Sequence, residues 1–366
     1  MRICVDLTSL DDNFSGVERF ALSITKALIK GNDHNWILLF KNSVYRDFED
    51  TTDNVNKIVI HGKNKLIFNQ VILPIVLAKI KADCFFFPAF PAPFFFFKRT
   101  AFNTIHDLSC WDCPKSNKGH MILYFKIMFW KASLCNKQII TVSEFSKSRI
   151  CSILHVKPEN ITVIYNGLSD IFNRKPVSSL EAKKVREKYN LPNDYVLSLS
   201  TLEPRKNLRL MLDAYSELFN EGVVEEIVLA GRKGWKMDNF LNGYKDTFLT
   251  HVHFTGFIDD DDLPIVYKLA KLFVFPSIYE GFGIPPLEAL ACGTNVISSS
   301  ATSMPEVLGK YATYFNPNSV AELKAAIKAQ CISTQKASLL LEQSEKKYSW
   351  EKQANKLLQK LQEART

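Results

Sequence analysis

Two carboxylates, two cations and a histidine are the residues best placed to do chemistry. Glu280 and Glu288 lie in the string FVFPSIYEGFGIPPLEALACG, Phe273 to Gly293. A buried strand ending at Ser277 leads into a loop where Gly281 and Gly283 permit a sharp, close-approaching backbone. Pro285 and Pro286 then suit the first turn of a helix. The start of such a helix presents N–H groups and the positive end of its dipole, which together make a seat for phosphate. Glu280 precedes the helix and Glu288 lies in its first turns, so the two carboxylates need not share a helical face. Taken singly, they fit equally well a solvated loop glutamate and a glutamate that complements the dipole. Arg205 and Lys206 stand at the start of a helix from Asn207 to Phe219. Cations there are unfavourable unless an anion sits beside them. His106 ends a buried strand and precedes Asp107; a strand-end histidine is more often a satisfied core residue than a catalyst. Gly16 sits in a loop just before a helix, and by itself marks only a turn.

The elements that must position these residues alternate. In the first half, MRICVDL, NWILLFK, NKIVI, DCFFFP, AFNTIHD and KQIITVS read as strands. Between them, GVERFALSITKALIKG, closing on Gly31, KLIFNQVILPIVLAKIK and HMILYFKIMFWKASL read as helices. Apolar strands separated by amphipathic helices predict a parallel sheet covered on both faces. The pattern resumes after NITVIYNGLSDIF with YVLSLST, EEIVLAG, VHFTGFI, LFVFPS and NVISSS, interleaved with helices including DDLPIVYKLA and Pro285 to Cys292. Between the halves, residues 166 to 192 turn polar and helix-prone, as a linker does. The expected class is α/β, with two doubly wound, Rossmann-like domains facing a cleft at the carboxyl ends of their strands.

Length and composition agree with this. The chain has 366 residues, about twice the length of one domain, and is 46% hydrophobic and 23% charged with no repeat or low-complexity tract. The eight cysteines are scattered among apolar neighbours, as buried thiols are. Only Cys110 and Cys113 have ligand-like spacing, and no second pair completes a metal site. Net charge is +8, yet residues 61 to 150 alone hold thirteen Lys and Arg against four Asp and Glu. That stripe fits an anionic partner such as phosphate, nucleic acid or lipid, or simply a basic solvated surface. No motif supports nucleic acid. The opening MRICVDLTSL lacks the long apolar core of a secretory signal, so a cytosolic protein is expected.

The string EGFGIPPLEALACGTNVI followed by SMPEVLG closely resembles the signature of the retaining glycosyltransferases of family 4, which have the GT-B fold. The likeness extends over nearly the whole chain: STLEPRKNL is similar to that family's donor-phosphate motif, TIHDLS to its cleft-histidine segment, and ITVSEFSK to the closing strand of the N-terminal domain. NGLSDIF resembles the entry to the linker, and YSWEKQANKLLQ the terminal helix that crosses back. The resemblance implies an N-terminal acceptor-binding domain at 1–170, rejoined by a helix at 350–366, and a donor-binding domain at 171–349. It implies a nucleoside-diphosphate-sugar substrate, no cofactor and no metal, with retention of anomeric configuration. Arg205 and Lys206 then neutralise the leaving diphosphate. Glu280 contacts the sugar's hydroxyls, Glu288 the ribose, and the Gly281-Phe282-Gly283-Ile284 turn approaches the donor. Gly16 in NFSGVERF lets backbone N–H groups reach the phosphate, His106 lines the sugar pocket with Asp107 setting its orientation, and Phe257 in FTGFI lies where the base is held. AGRKGW, ending at Trp235, supplies further loop cations. Where many members have a Gly-Arg pair, this chain has Ser200-Thr201, which shifts phosphate charge onto Arg205. Glu280→Ala and Lys206→Ala are expected to abolish transfer and leave the fold intact.

CFFFPAFPAPFFFFKRT, Cys84 to Thr100, holds eight phenylalanines and three prolines. Its prolines argue against a membrane span. Phe85 to Phe87 read as buried strand. The rest, with Phe90 and Phe94, and the helical run in PKSNKGHMILYFKIMFWKASLCNK, with Lys126 and Trp130, are expected to form an acceptor entrance resting on anionic lipid. A core-only role remains open, since aromatics at helical spacing usually pack inside. The TLEPRKN variant is similar to that of O-antigen and capsule enzymes, many of them mannosyltransferases. The reading is therefore transfer from GDP-mannose to a lipid-linked saccharide in bacterial surface polysaccharide assembly, on the inner face of the plasma membrane. A nucleotide-sugar epimerase of the same fold is the alternative.

Overall fold

The structure is a computed structural model that describes residues 1–11, 15–30, 34–116, 119–135, 138–234, 240–332 and 347–363. Gly31, Asn13 and Phe14 of NFSGVERF, Asn117, Lys118, Asn136, Lys137, Trp235 and the last three residues of the helix expected at 350–366 lie outside the described residues. The chain divides into two units, Met1–Gly167 with Lys346–Thr366, and Leu168–Glu345. These divisions fall a few residues before 170/171 and 349/350.

The first unit is built on seven parallel strands: β1 (Arg2–Asp6), β2 (Asn35–Lys41), β3 (Val55–Ile60), β4 (Cys84–Phe87), β5 (Ala101–Thr104), β6 (Ile139–Thr141) and β7 (Ile161–Val163). Their order is β3-β2-β1-β4-β5-β6-β7. In register, Cys4 lies between Ile37 of β2 and Phe85 of β4. Inner strands of such a sheet are buried on both faces and their middles are accordingly apolar: Phe85, Phe86 and Phe87 are all core, whereas the edge strand β3 exposes Asn56. The helix Gly16–Ile29 starts on a capping box, Ser15 with Glu18. The segment expected as one helix over 65–81 is interrupted. It runs Lys65–Ile67, a π turn Phe68–Ile72, then Leu73–Lys79. Pro74 has no N–H for the Gln70 carbonyl, so the regular ladder cannot run through.

The second unit repeats the plan with six parallel strands: β8 (Val196–Leu199), β9 (Ile227–Ala230), β10 (Val252–Gly256), β11 (Leu272–Phe275), β12 (Val296–Ser299) and β13 (Thr313–Phe315). The order is β10-β9-β8-β11-β12-β13. In each sheet the first strand has neighbours on both sides, because the chain builds outward one way and then returns to build the other. The places where it reverses, β1 beside β4 and β8 beside β11, are where an open α/β sheet leaves a crevice beyond its strand ends. The polar stretch 166–192 contains the helix Ser179–Tyr189, capped by Ser178 and Glu181 and closed by Asn190 at φ 50°.

The terminal helix, Trp350–Glu363, lies against the helix Gly16–Ile29 within the first unit. Ala354, Leu357, Leu358 and Leu361 are its buried face. Gln353 Oε1 accepts from Tyr165 N–H at 3.0 Å and Lys356 Nζ donates to the Val163 carbonyl at 2.9 Å, satisfying backbone at and beyond the end of β7. Gly167 is required here, since a Cβ would sit 2.4 Å from the Trp350 ring. Gly167→Ala should therefore cost about 1–3 kcal/mol through overpacking. Thermal or denaturant unfolding checks this, and Trp350→Leu in the same chain should recover part of the loss.

Candidate active site

The residues with chemistry in the second unit gather at its reversal point. β8 runs out at Leu199 into a 3₁₀ turn, Pro204–Lys206, and Asn207, at φ 55°, turns the chain into the helix Leu208–Asn220. β11, its neighbour, runs out at Phe275 into the Glu280 loop. The two loops are bonded together. Ile278 N–H donates to the Arg205 carbonyl at 3.0 Å, and Arg205 Nη1 donates to the Tyr279 carbonyl at 2.7 Å. Glu280 then receives Lys206 Nζ at 2.6 Å, Arg205 Nη1 at 3.2 Å and Ser277 Oγ at 2.7 Å. Its side chain lies in a residue only 8% exposed. Burial pushes its pKa up, but the Lys206 and Arg205 charges and the Lys206 and Ser277 hydrogen bonds outweigh this and hold it at about 2. The carboxylate is ionised at any working pH. Burial and the adjacent Arg205 charge pull Lys206 below its usual range, with Glu280 opposing them.

The Arg205 fork has a further partner that the sequence did not single out. Glu203 Oε1 accepts from Nε at 3.2 Å and Nη2 at 3.0 Å. Two cations and two carboxylates thus balance at the strand ends. Because the pairs are buried, the expectation that Glu280→Ala leaves the fold intact is replaced by an expected loss of stability: removing Glu280 leaves the buried Lys206 ammonium without its carboxylate, while Arg205 keeps Glu203.

The Glu280 loop is braced from behind by the segment after β12. Thr302 Oγ1 accepts Glu280 N–H at 3.0 Å, and Ser303 Oγ lies 3.0 Å from the Glu280 carbonyl and 3.1 Å from that of Phe282. Phe282 and Gly281 are buried within this turn. Gly283 has φ 89°, and a Cβ there would lie 2.1 Å from Met304 Cε, so two constraints demand glycine. The helix that follows is Ile284–Ala291. Glu288, 4% exposed, accepts the Tyr267 hydroxyl at 2.9 Å and forms a separate group from the Glu280 cluster. Neither glutamate is a solvated surface residue. The bracing residues Ser277, Tyr267, Thr302 and Ser303 were missed because hydroxyls in loops carry no spacing signal.

The loop after β9 runs alongside the loop after β8. Gly234 N–H bonds the Leu202 carbonyl, and a Cβ at Gly231 would lie 1.9 Å from the Ser200 carbonyl oxygen. Ser200, in place of the expected glycine, has its Oγ buried with no hydrogen-bond partner among the described residues. Phe257 is half-exposed beyond β10, with the Arg232 guanidinium 4.5 Å above its ring.

In the first unit, His106 follows β5 and its Nε2 lies 2.9 Å from the Pro88 carbonyl. A carbonyl only accepts, so Nε2 carries the proton and Nδ1 is an acceptor. Burial lowers its pKa, which keeps the ring neutral. Pro88, not Asp107, sets its orientation: Asp107 Oδ1 accepts Ser109 N–H at 2.9 Å. Gly16 is not in a loop but opens the helix Gly16–Ile29, and among the described residues an added Cβ would meet nothing within 4 Å. Phe90 stacks on Phe125 and Phe94 meets Phe95 edge-on, both half-buried. Lys126 Nζ lies over Trp111, whereas Trp130 is 56% exposed. Among the described residues, no group of three or more His, Cys, Asp or Glu is placed to hold a metal ion. Cys110 is a buried thiol whose pKa burial pushes up to about 12.

Glu280, depressed to about 2 in the folded chain, stabilises the fold above the ordinary carboxylate range; that contribution is lost as pH falls from about 4.5 through about 2. In unfolding titrations across that window, Glu280→Gln should show a shallower loss than the wild type. At neutral pH, Glu280→Ala should cost about 3–5 kcal/mol. Lys206→Met should cost less, since Arg205 still pairs the carboxylate.

Residues 181–356 match the family model for glycosyl transferases group 1. The chain is 36% identical over 231 residues to the O-antigen chain mannosyltransferase B of Escherichia coli, covering 62% of this chain and 60% of that one. It is 32% identical over 235 residues to the O-antigen chain mannosyltransferase RfbU of Salmonella typhimurium, covering 62% and 59%. The matches thus span less than two thirds of the length of either relative. Its fold superposes on Anabaena HepE, solved with UDP and glucose, with TM-score 0.73 over 99% of this chain and 100% of that one at 17% identity. The chain therefore has the GT-B fold, matches the glycosyl transferases group 1 model over residues 181–356, and is similar in sequence to bacterial O-antigen mannosyltransferases.

Proposed function

We propose that the protein is a retaining glycosyltransferase that moves mannose from GDP-mannose to a lipid-linked saccharide during assembly of a bacterial surface polysaccharide, O-antigen or capsule, as a peripheral protein of the inner membrane face. The observation that carries this reading is the pair of bonded loops at the β8–β11 reversal, which bring Arg205, Lys206 and Glu280 together beside the glycine turn and the helix Ile284–Ala291. The names of the two relatives and the UDP and glucose held by HepE support the donor class.

In this reading the donor's diphosphate exchanges places with a carboxylate. Arg205 and Lys206 shift part of their pairing from Glu280 to the phosphates, and the freed carboxylate oxygens accept hydrogen bonds from the sugar's hydroxyls. The exchange keeps the buried cations paired throughout, which is what makes it inexpensive. Ser200 Oγ, buried without a partner among the described residues, is a donor for the same phosphates. Glu288, held by Tyr267, takes the ribose, and Phe257 with Arg232 borders the base. Gly16 and the neutral His106 are assigned to donor phosphate and sugar. The sugar C1–phosphate oxygen bond breaks as the acceptor oxygen bonds C1 on the same face, and the acceptor's proton passes to the leaving phosphate oxygen. Arg205 and Lys206 stabilise the charge that develops there.

A thermal-shift panel of GDP-, UDP- and dTDP-sugars tests the donor, since a ligand that binds only the folded chain raises its stability, by about 2.7 kcal/mol at a hundred times its Kd. GDP-mannose should give the selective shift. A shift with none of them would sink the donor site, and sugar interconversion without acceptor would favour an epimerase. Gly16→Ala separates fold from function: among the described residues no atom lies within 4 Å of an added Cβ, so the unfolding temperature should hold while transfer falls tenfold or more.

A further inference from the structure

Exposed apolar surface in this chain is not scattered. Of sixteen large apolar side chains that stand exposed among the described residues, eleven fall between Leu66 and Leu134, all in the first unit. They form rows. On the helix Gly119–Cys135, Leu123, Ile127, Trp130 and Leu134 follow one another at spacings of four, three and four, a single stripe along one face. On the segment 65–79, Ile67, Val71 and Ile75 recur every four residues, while Phe68, Leu73 and Leu77 on its other side enter the core. That segment is apolar on both sides, which water alone does not favour.

The rows are tied into one surface. Gln70, beside Val71, donates to the Tyr124 hydroxyl at 3.0 Å and accepts Phe94 N–H at 2.9 Å, so it joins both helical segments and the phenylalanine loop. The loop itself is held by Lys131, a lysine 3% exposed on a largely apolar helix. Its Nζ donates to the Pro93 carbonyl at 3.0 Å and the Phe96 carbonyl at 2.5 Å, and lies 5.3 Å from the Phe97 ring. With the backbone pinned and Phe96 in the core, Phe95 and Phe97 are left pointing outward, Phe95 at 70% exposure. A buried ammonium is a costly way to hold a loop unless the loop's outward shape matters.

Charge identifies the occupant. Lys63, Lys65, Lys79, Lys81, Arg99 and Lys115 are exposed along the same stretch of chain. The acids of residues 61–135 are Asp83, Asp107 and Asp112, and each already accepts a hydrogen bond within the unit, Asp112 from Arg149. A second copy would bring the same cations against these. An anionic bilayer offers acyl chains to the apolar rows and phosphate headgroups to the cations.

We propose that the segment 65–79, the loop 94–97 and the helix Gly119–Cys135 form one lipid-seated surface, with Phe95 and Phe97 inserted among acyl chains and Lys131 holding them out. No helix among the described residues is long and apolar enough to cross a membrane, so this surface lies on the bilayer and does not span it. The inference rests on the proposed lipid-linked acceptor for its biological setting, but not for its chemistry.

Flotation of the full chain with phosphatidylcholine vesicles, with and without phosphatidylglycerol, tests it. The wild type should float with anionic vesicles and keep a salt-resistant fraction. Val71→Asp/Ile75→Asp and Phe95→Ser/Phe97→Ser, all at exposed positions, should each lower partitioning about tenfold or more. In the wild type, acyl-chain bromines should quench the tryptophan emission that Trp130→Phe removes. Absence of flotation, flotation unmoved by both double variants, or loss of a dimer by the variants with flotation unchanged would overturn the proposal. The nucleotide thermal shift on the same samples separates the two readings: flotation lost with the shift kept sinks only the surface, and the reverse sinks only the donor site.

Discussion

The Glu280 carboxylate, buried between Lys206 and Arg205, is the interaction on which the second unit's strand ends depend. Lys206 would not stay charged in so dry a place without it, and Glu280 would not stay ionised without the two cations. Once the three are paired, the loop after β8 and the loop after β11 cannot move independently, since backbone bonds between Arg205, Ile278 and Tyr279 complete the tie. A preformed cluster of this kind has its reorganisation cost met during folding, which is the condition under which electrostatic stabilisation of a leaving group works best.

Around that cluster, backbone geometry is set by close approach. Gly231 brings the loop after β9 against Ser200, Gly283 lets the turn pass Met304, and Thr302 and Ser303 brace the turn from the segment after β12. Loops from four neighbouring strands therefore converge on one crevice, as the reversal of strand order between β8 and β11 dictates. The first unit shows the same order reversal with a different use. There the loops following β4 and β5 carry a phenylalanine cluster and a neutral histidine bonded to Pro88, and burial is balanced by an outward apolar surface.

Much of the fold was legible. β2 and β12 fall where their apolar runs lie, and alternation with helices fixed the parallel class, because a strand covered on both faces must be apolar throughout. β13 and the helix Glu144–Leu154 were not foreseen: TYF is too short for a period to register, and EFSKSRICSIL is too polar. The π turn before Pro74 shows the limit of periodicity, which sees a continuous apolar helix but not the ladder inside it.

The sequence by itself determined the class of fold and the order of its elements and singled out Glu280, Glu288, Arg205, Lys206 and His106 as candidates, because these depend on local pattern and motif. Only tertiary structure decided that Glu280 pairs both cations while Glu288 pairs Tyr267, that Glu203 occupies the Arg205 fork, and that Pro88 orients His106. It also decided which phenylalanines face inward and that Lys131 is buried. These are contacts between residues far apart in sequence, and strand order, which brings them together, leaves no mark on local spacing.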